Sequence, residues 1–272
     1  MKAFLKKTFK QIIETTKKHP IWVSALIIAG VVFIASIIRI AVLITPPKDN
    51  YEKYKYSNNY NNSQTAQTQS QIVDDNKVIN FDLLKKENPD ICGWITVDGT
   101  NIDYPIFRSG DDKQENFYLD HKMNGEKHKD GSIYIQKCNA ADFSDPNTLV
   151  YGHNLLNGTK FAALKKFRNS QFFKQNRKIT VYTPDRTLEY EIFSAFIYDS
   201  RHILNSFNFY DKAGYENFIK ECLEPKSKVK NVLNDASINF GDKLITLSTC
   251  TSKEDERYLV VGVLTNENAY EK

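Results

Sequence analysis

Hydrophobic positions along the chain fall into two regimes. Residues 21–38, IWVSALIIAGVVFIASII, form one uncharged apolar run of 18 residues. After Arg39 it resumes as IAVLI and stops at Thr45, Pro46 and Pro47. As a helix this stretch rises 1.5 Å per residue and is expected to cross the roughly 30 Å of a bilayer's hydrocarbon. Trp22 and Arg39 suit its interfacial ends.

From residue 77 onward the pattern changes to short segments rich in Val, Ile, Tyr, Phe and Thr, the signature of strands. Eight are expected, at residues 92–97, 102–107, 132–136, 148–151, 179–183, 187–198, 243–248 and 258–264, with Asp98-Gly99 turning between the first two. Asn80 caps a short helix that Pro89 ends, and helical patches cover residues 160–167, 170–175 and 215–223. Eight strands with few helices predict a mostly β fold, an antiparallel or mixed barrel. A doubly wound fold would need a helix after nearly every strand. Between the two regimes, residues 46–76 are rich in Asn, Gln, Ser and Tyr and nearly free of aliphatic side chains. Such a stretch cannot bury enough apolar surface to offset its ordering entropy and is expected to be a flexible stalk.

Charge sharpens this division. The net charge of +4 is uneven: residues 1–20 carry six Lys and one Glu, Arg39 adds one more, and the rest has 30 basic and 32 acidic residues. The outer domain thus has no excess of cations for a nucleic-acid backbone. The Lys-rich flank favours a cytoplasmic N-terminus. The expected order is a cytoplasmic flank at 1–20, a single-pass signal anchor at 21–45, a stalk at 46–76 and an extracellular domain at 77–272. A cleaved signal peptide fits less well, because the apolar region exceeds the usual ~7–15 residues and no small-x-small site precedes Pro46.

Among four cysteines, Cys92, Cys138 and Cys222 form no CxxC pair and read as buried or half-buried thiols. Cys250 ends the run LITLSTC just before the polar loop TSKEDER, where a rigid strand positions the thiol and a loop exposes it. A buried strand-end thiol is the plainer interpretation of that feature alone. His153 follows another apolar strand in TLVYGHN, with Gly152 giving backbone freedom before it. His19, His121, His128 and His202 lie in polar contexts, and a set of His121, His128 and Cys138 matches no zinc spacing. A distant Cys–His pair is a legitimate nucleophile and base. Arg257 opens the last strand, where its guanidinium could stabilise a thiolate or an oxyanion. Alternatively it is a solvated arginine neutralised by Glu254, Asp255 and Glu256.

TLSTC with a downstream Arg and an upstream YGHN resembles the sortase family of Gram-positive surface transpeptidases, over roughly residues 78–265. NPDICGWI, DYPIF, ENFYLDHKMNG, SDPNTLVYGHN and the long 198–240 insertion with its helix resemble class B in particular. The resemblance implies an eight-stranded sortase-type barrel with an N-terminal helical segment. It implies Cys250 as nucleophile, His153 as general acid/base and Arg257 as stabilising arginine. Tyr151, Ser248 and Thr249 would line the groove, with Leu119 and Asn116 on its far wall. Some class B members carry an acidic residue two positions past the Cys, where this chain has Ser252. The implied reaction is cleavage of an NPQTN-like sorting motif of a secreted protein through a thioester, then transfer of the Thr carboxyl to a peptidoglycan precursor or cross-bridge amine. Hydrolysis would be a side reaction. No cofactor and no metal is implied. A pilus-assembling sortase using a pilin Lys, a tethered cysteine protease and a non-catalytic wall-binding module are the alternatives.

Overall fold

The computed structural model describes residues 20–44, 51–55, 79–233 and 235–270, and divides into two units, Met1–Pro47 and Lys48–Lys272. In the first, helix α1 (Pro20–Ile44) forms over the apolar run. The expectation of a single-pass membrane anchor is nevertheless corrected: among the described residues, no helix is long and apolar enough to cross a membrane. The basic flank at 1–19 lies outside the described residues.

The second unit is built on nine strands: β1 (Ile91–Val97), β2 (Asp103–Arg108), β3 (Ile133–Ile135), β4 (Asn147–Tyr151), β5 (Lys178–Tyr182), β6 (Arg186–Asp199), β7 (Lys230–Val232), β8 (Leu244–Cys250) and β9 (Glu256–Ala269). Their order is β5-β1-β2-β3-β4-β8-β9-β6-β7, and pairing of β5 with β6 closes eight of them into a barrel. The β2–β3 and β4–β8 pairs are parallel and the others antiparallel. The expected eight-stranded barrel is therefore present. Strand β7 adds a ninth member beside β6 at residues 230–232, too few to leave a period in the sequence.

Side chains alternate across each strand, so one face fills the barrel and the other needs separate cover. Inside lie Ile95, Ile106, Ile135, Val150, Ile245, Leu247, Tyr258 and Val260. Outside, Leu149, Phe193, Phe196, Leu244, Leu259 and Val261 pack under α5 (Lys212–Leu223) through Tyr215, Phe218, Ile219 and Cys222. A third cluster places Trp94, Phe107, Tyr118 and Tyr134 beneath α2 (Phe81–Glu87). Cover on both faces explains why β8 and β9 read as continuous apolar runs rather than clean alternations. Residues 160–167 are helical as expected but tighten into a 3-10 helix, Phe161–Arg168, followed by α3 (Ser170–Gln175). A single turn, α4 (Ile203–Ser206), precedes α5.

Part of the segment expected to be stalk belongs to this unit. Glu52–Tyr54 forms a 3-10 turn, Lys55 bridges to Ile79, and Tyr54 is buried at 3% exposure. Tyr51 meets Trp94 edge-on at 5.7 Å, and Lys55 Nζ pairs with Asp103 at 2.5 Å. The aromatic Tyr51 and Tyr54 supply the apolar area that the aliphatic count leaves out. Residues 56–78 lie outside the described ones.

Candidate active site

Register decides what meets what at one end of the barrel. Strands β4 and β8 run parallel with Tyr151 opposite Ser248. Two residues further on each chain lie His153 and Cys250, so the same register carries both to the barrel's end. Across the antiparallel β8–β9 ladder, Cys250 stands directly opposite Arg257. Directly opposite residues have Cβ atoms about 4.5–5.5 Å apart and share a face. Even-numbered residues of β8 face outward with Leu244, and Tyr151 and Arg257 fall on the same outer face as Leu149 and Leu259. Tyr151, Cys250 and Arg257 thus share the outer face at one barrel end, with the His153 loop beside them.

Cys250 is exposed, which removes the buried-thiol alternative. The same alternation turns Thr249 inward: it is 4% exposed and its Oγ1 donates to the Gly152 carbonyl at 2.6 Å. Thr249 therefore braces the His153 loop rather than lining the groove, because its strand position has the opposite parity to Cys250. Ser248 faces the groove side but is also only 4% exposed.

The His153 loop is fixed from both strands. Gly152 N donates to Ser248 O at 3.1 Å, Asn154 Nδ2 donates to Cys250 O at 3.0 Å, and Phe161 N donates to His153 O at 2.9 Å. Gly152 is required for space rather than for a left-handed conformation: a Cβ there would lie 2.5 Å from Ile133 Cδ1 and 2.7 Å from the Phe161 ring. The half-buried His153 ring places Nε2 2.6 Å from the Leu119 carbonyl. A carbonyl only accepts, so Nε2 carries the proton in this arrangement. Among the described residues, no hydrogen bond joins this ring to the Cys250 sulfur.

Arg257 is half-buried, and its Nη1 donates to the carbonyls of Glu254 at 2.8 Å and Glu256 at 2.9 Å. Among the described residues it forms no ion pair, so the acidic run Glu254–Glu256 does not neutralise it as the alternative supposes. Instead Glu256 pairs with Lys253 at 2.8 Å. The rest of the guanidinium fork remains for a ligand.

Two tyrosines lie close to Cys250 and Arg257. Tyr134 and Tyr151 stack at 5.4 Å. Burial raises the Tyr134 phenol above its ordinary pKa, a negative charge on nearby Cys250 acts in the same direction, and Arg257 opposes. Burial likewise raises that of Tyr151. Leu119 is 45% exposed, and Asn116 reaches the site through Gln136, whose Nε2 donates to Asn116 Oδ1 at 2.9 Å while Tyr151 OH donates to Gln136 Oε1 at 3.3 Å. Tyr134 and Gln136 are additions to the expected residues. Their only sequence signal is the run IYIQ, which is β3 and the residue after it, beside β4.

The other cysteines differ from one another. Cys92 and Cys222 are buried, and burial pushes the Cys92 thiol up to about 12 and Cys222 well above its ordinary value. Both are inert thiols. Cys138 is exposed, because it follows β3 in a loop instead of continuing the strand. The set of His121, His128 and Cys138 does not assemble. His121 stacks on Phe117 at 3.8 Å, and His128 Nδ1 accepts from Asp130 N at 3.2 Å. Among the described residues, no group of three or more His, Cys, Asp or Glu could hold a metal.

A barrel with a parallel strand pair carrying His and Cys to one end, and Arg across from the Cys, can be set against known proteins. The Sortase domain family matches residues 95–265. The chain belongs to the sortase family. Sortase B of Listeria monocytogenes is 31% identical over 172 residues, which is 63% of this chain and 67% of that protein. Sortase B of Staphylococcus aureus is 28% identical over 186 residues, 67% of this chain and 73% of its own length. Among solved structures, Clostridium perfringens sortase B superposes with a TM-score of 0.61 at 35% identity, covering 68% of this chain and all of that one (100%). A Staphylococcus aureus sortase B–substrate complex gives 0.60 at 27% identity, covering 69% and 85%. The sortase is thus most similar to class B members. Sortases are cysteine transpeptidases, and this one carries its candidate cysteine at a barrel strand end.

Proposed function

We propose that this sortase recognises an NPQTN-like sorting motif in a secreted protein, cleaves it after the Thr, and joins the Thr carboxyl to an amine of a peptidoglycan precursor or cross-bridge. Cys250 thiolate attacks the Thr carbonyl carbon and forms a tetrahedral intermediate. His153 donates a proton to the departing amine as the C–N bond breaks, leaving a thioester on Cys250. The acceptor amine attacks that thioester, passes a proton to His153, and expels the thiolate as the new amide forms. Arg257 directs its unpaired guanidinium nitrogens at the carbonyl oxygen, where charge develops in both steps.

The observation that carries this assignment is the cross-strand pairing of exposed Cys250 with half-buried Arg257, beside the loop that Asn154 ties to the Cys250 carbonyl. The Leu119 carbonyl fixes the orientation of the His153 ring beside Cys250 through Nε2 at 2.6 Å. Tyr151, Ser248, Leu119 and Asn116 form the walls that bind the motif, on the floor of stacked Tyr134 and Tyr151. The Staphylococcus aureus relative has been solved as a substrate complex, and a sortase B has been solved with a triglycine, which supports a peptide and an amine as the two substrates here.

Incubating the chain with NPQTN-like and LPXTG-like pentapeptides, with and without oligoglycine, a wall-peptide amine or a pilin-type lysine peptide, tests this assignment. The expected result is cleavage of an NPQTN-like peptide and a new amide to the wall-type amine. Hydrolysis unaffected by any amine contradicts transpeptidation, and a preference for the lysine peptide turns the assignment to pilus assembly.

A further inference from the structure

Gln136 is 7% exposed, and its side chain joins four segments. Its Oε1 accepts from Tyr151 OH at 3.3 Å, and its Nε2 donates to Asn116 Oδ1 at 2.9 Å. Its Oε1 also lies 2.7 Å from Nε2 of His202, which belongs to the insertion after β6. The tautomer of His202 follows from its second bond. As the cap of α4, its Nδ1 accepts from Asn205 N at 3.2 Å, so Nε2 must bear the proton and donate. That donation fixes which end of the Gln136 amide is oxygen. The oxygen then receives the Tyr151 hydroxyl, and the remaining NH2 must turn to Asn116. Orientation therefore passes in one direction, from the α4 cap through His202 and Gln136 to both walls of the groove.

We propose that Gln136 is a positioning residue for the sorting peptide and that His202 sets its orientation, so that the insertion governs substrate affinity without touching the reacting atoms. The proposal rests on the groove assignment above. A buried amide that is hydrogen-bonded to exposed Asn116 and half-buried Tyr151 and His202 restricts their rotamer freedom before the peptide arrives, which raises affinity by preorganisation. Cys250, His153 and Arg257 are not bonded to Gln136, so the chemical step is unaffected by this network.

The test is steady-state cleavage of whichever pentapeptide the wild type accepts, using Gln136→Leu, Gln136→Glu, His202→Phe and the Gln136→Leu/His202→Phe double variant. Thermal melting and the iodoacetamide alkylation rate mapped to Cys250 are followed alongside. Gln136→Leu removes all three bonds and is expected to raise KM about tenfold, with kcat and Cys250 alkylation within about twofold of wild type. Gln136→Glu keeps KM within about threefold, because its carboxylate accepts from His202 and Tyr151 and Asn116 can rotate its amide to donate. His202→Phe raises KM a few-fold alone and adds nothing in the double variant. The proposal is overturned by an unchanged KM in Gln136→Leu, by equal damage from Glu and Leu, or by additive effects of the two positions. It is also overturned if Gln136→Leu loses kcat instead of KM. Should Gln136→Leu fail to fold, His202→Phe decides by the same split between KM and kcat. Cleavage that persists in Cys250→Ala, or no cleavage of any pentapeptide by wild type, defeats the groove assignment itself and the relay with it. Cys250-dependent cleavage with unchanged KM in the variants defeats the relay alone.

Discussion

Replacing Gly152 with alanine measures how tightly the barrel interior grips the His153 loop. The new methyl would sit 2.5 Å from Ile133 Cδ1 and 2.7 Å from two atoms of the Phe161 ring. Carbon atoms ordinarily rest about 3.5–4.0 Å apart, so roughly 1 Å of room has to be made. Ile133 can swing its terminal methyl aside, but Phe161 is fully buried, at 0% exposure, in the barrel interior. The backbone of Gly152 cannot retreat freely either, because its N–H is bonded to Ser248 and its carbonyl to Thr249. Overpacking of this kind costs about 1–3 kcal/mol. With a urea slope of about 2 kcal/mol per molar, a loss of about 2 kcal/mol lowers the unfolding midpoint by about 1 M. Any residual shift moves His153 relative to Cys250, and kcat/KM is expected to fall by about a hundredfold, because sub-ångström misplacement of a proton donor is costly. Urea unfolding followed by fluorescence, together with peptide cleavage, reads both effects. A variant with wild-type midpoint and wild-type kcat/KM refutes the close-packing argument for Gly152.

Further outcomes follow from individual contacts. Arg257→Lys is expected to lose most activity, about a hundredfold in kcat/KM, because a point charge cannot replace the planar fork; near-full activity in a cleavage assay discards its role. Asp90 would be raised by burial alone, but Lys113 at 2.6 Å and Tyr118 OH at 2.7 Å outweigh this and hold it below the ordinary carboxylate range. A lowered folded pKa contributes stability above the unfolded value of about 3.9 and loses it as pH falls further. Asp90→Asn should therefore be less stable at neutral pH and show a flatter loss between about pH 4 and 2 in acid-titration unfolding. Equal slopes for both chains contradict that. A chain starting at residue 77 loses Tyr51, Tyr54 and the Lys55–Asp103 pair, and is expected to melt several degrees below one starting at residue 48; identical melting would make the docked segment energetically idle.

Much of the barrel is legible in the sequence because its strands are rich in β-formers and separated by clear turns, and all eight expected strands are in the closed sheet. Cys250, His153 and Arg257 stand out as strand-end residues next to polar loops. That they converge depends on the parallel β4–β8 register, which no local pattern encodes. Adjacency to Cys250 suggests a groove position for Thr249, whereas strand parity sends it inward. Backbone freedom is the wrong physical cause for Gly152, since crowding by Phe161 is a long-range fact. Gln136 and His202 are 66 positions apart and leave no motif, although the structure hydrogen-bonds them at 2.7 Å. Likewise, residues 51–55 look like tether by composition, and only Trp94 and Asp103 on the barrel reveal why they dock. For the apolar run at residues 21–38, helix formation follows from the pattern, but the membrane crossing inferred from it does not.

The central claim is that Cys250 forms a thioester which an amine resolves. Intact-mass spectrometry of the chain quenched during turnover with an NPQTN-like peptide tests it most directly. The account predicts an adduct equal to the N-terminal acyl fragment, mapped to Cys250, absent in Cys250→Ala and discharged into a new amide when a wall-type amine is added. An adduct on Cys138, or cleavage that continues in Cys250→Ala, would contradict it.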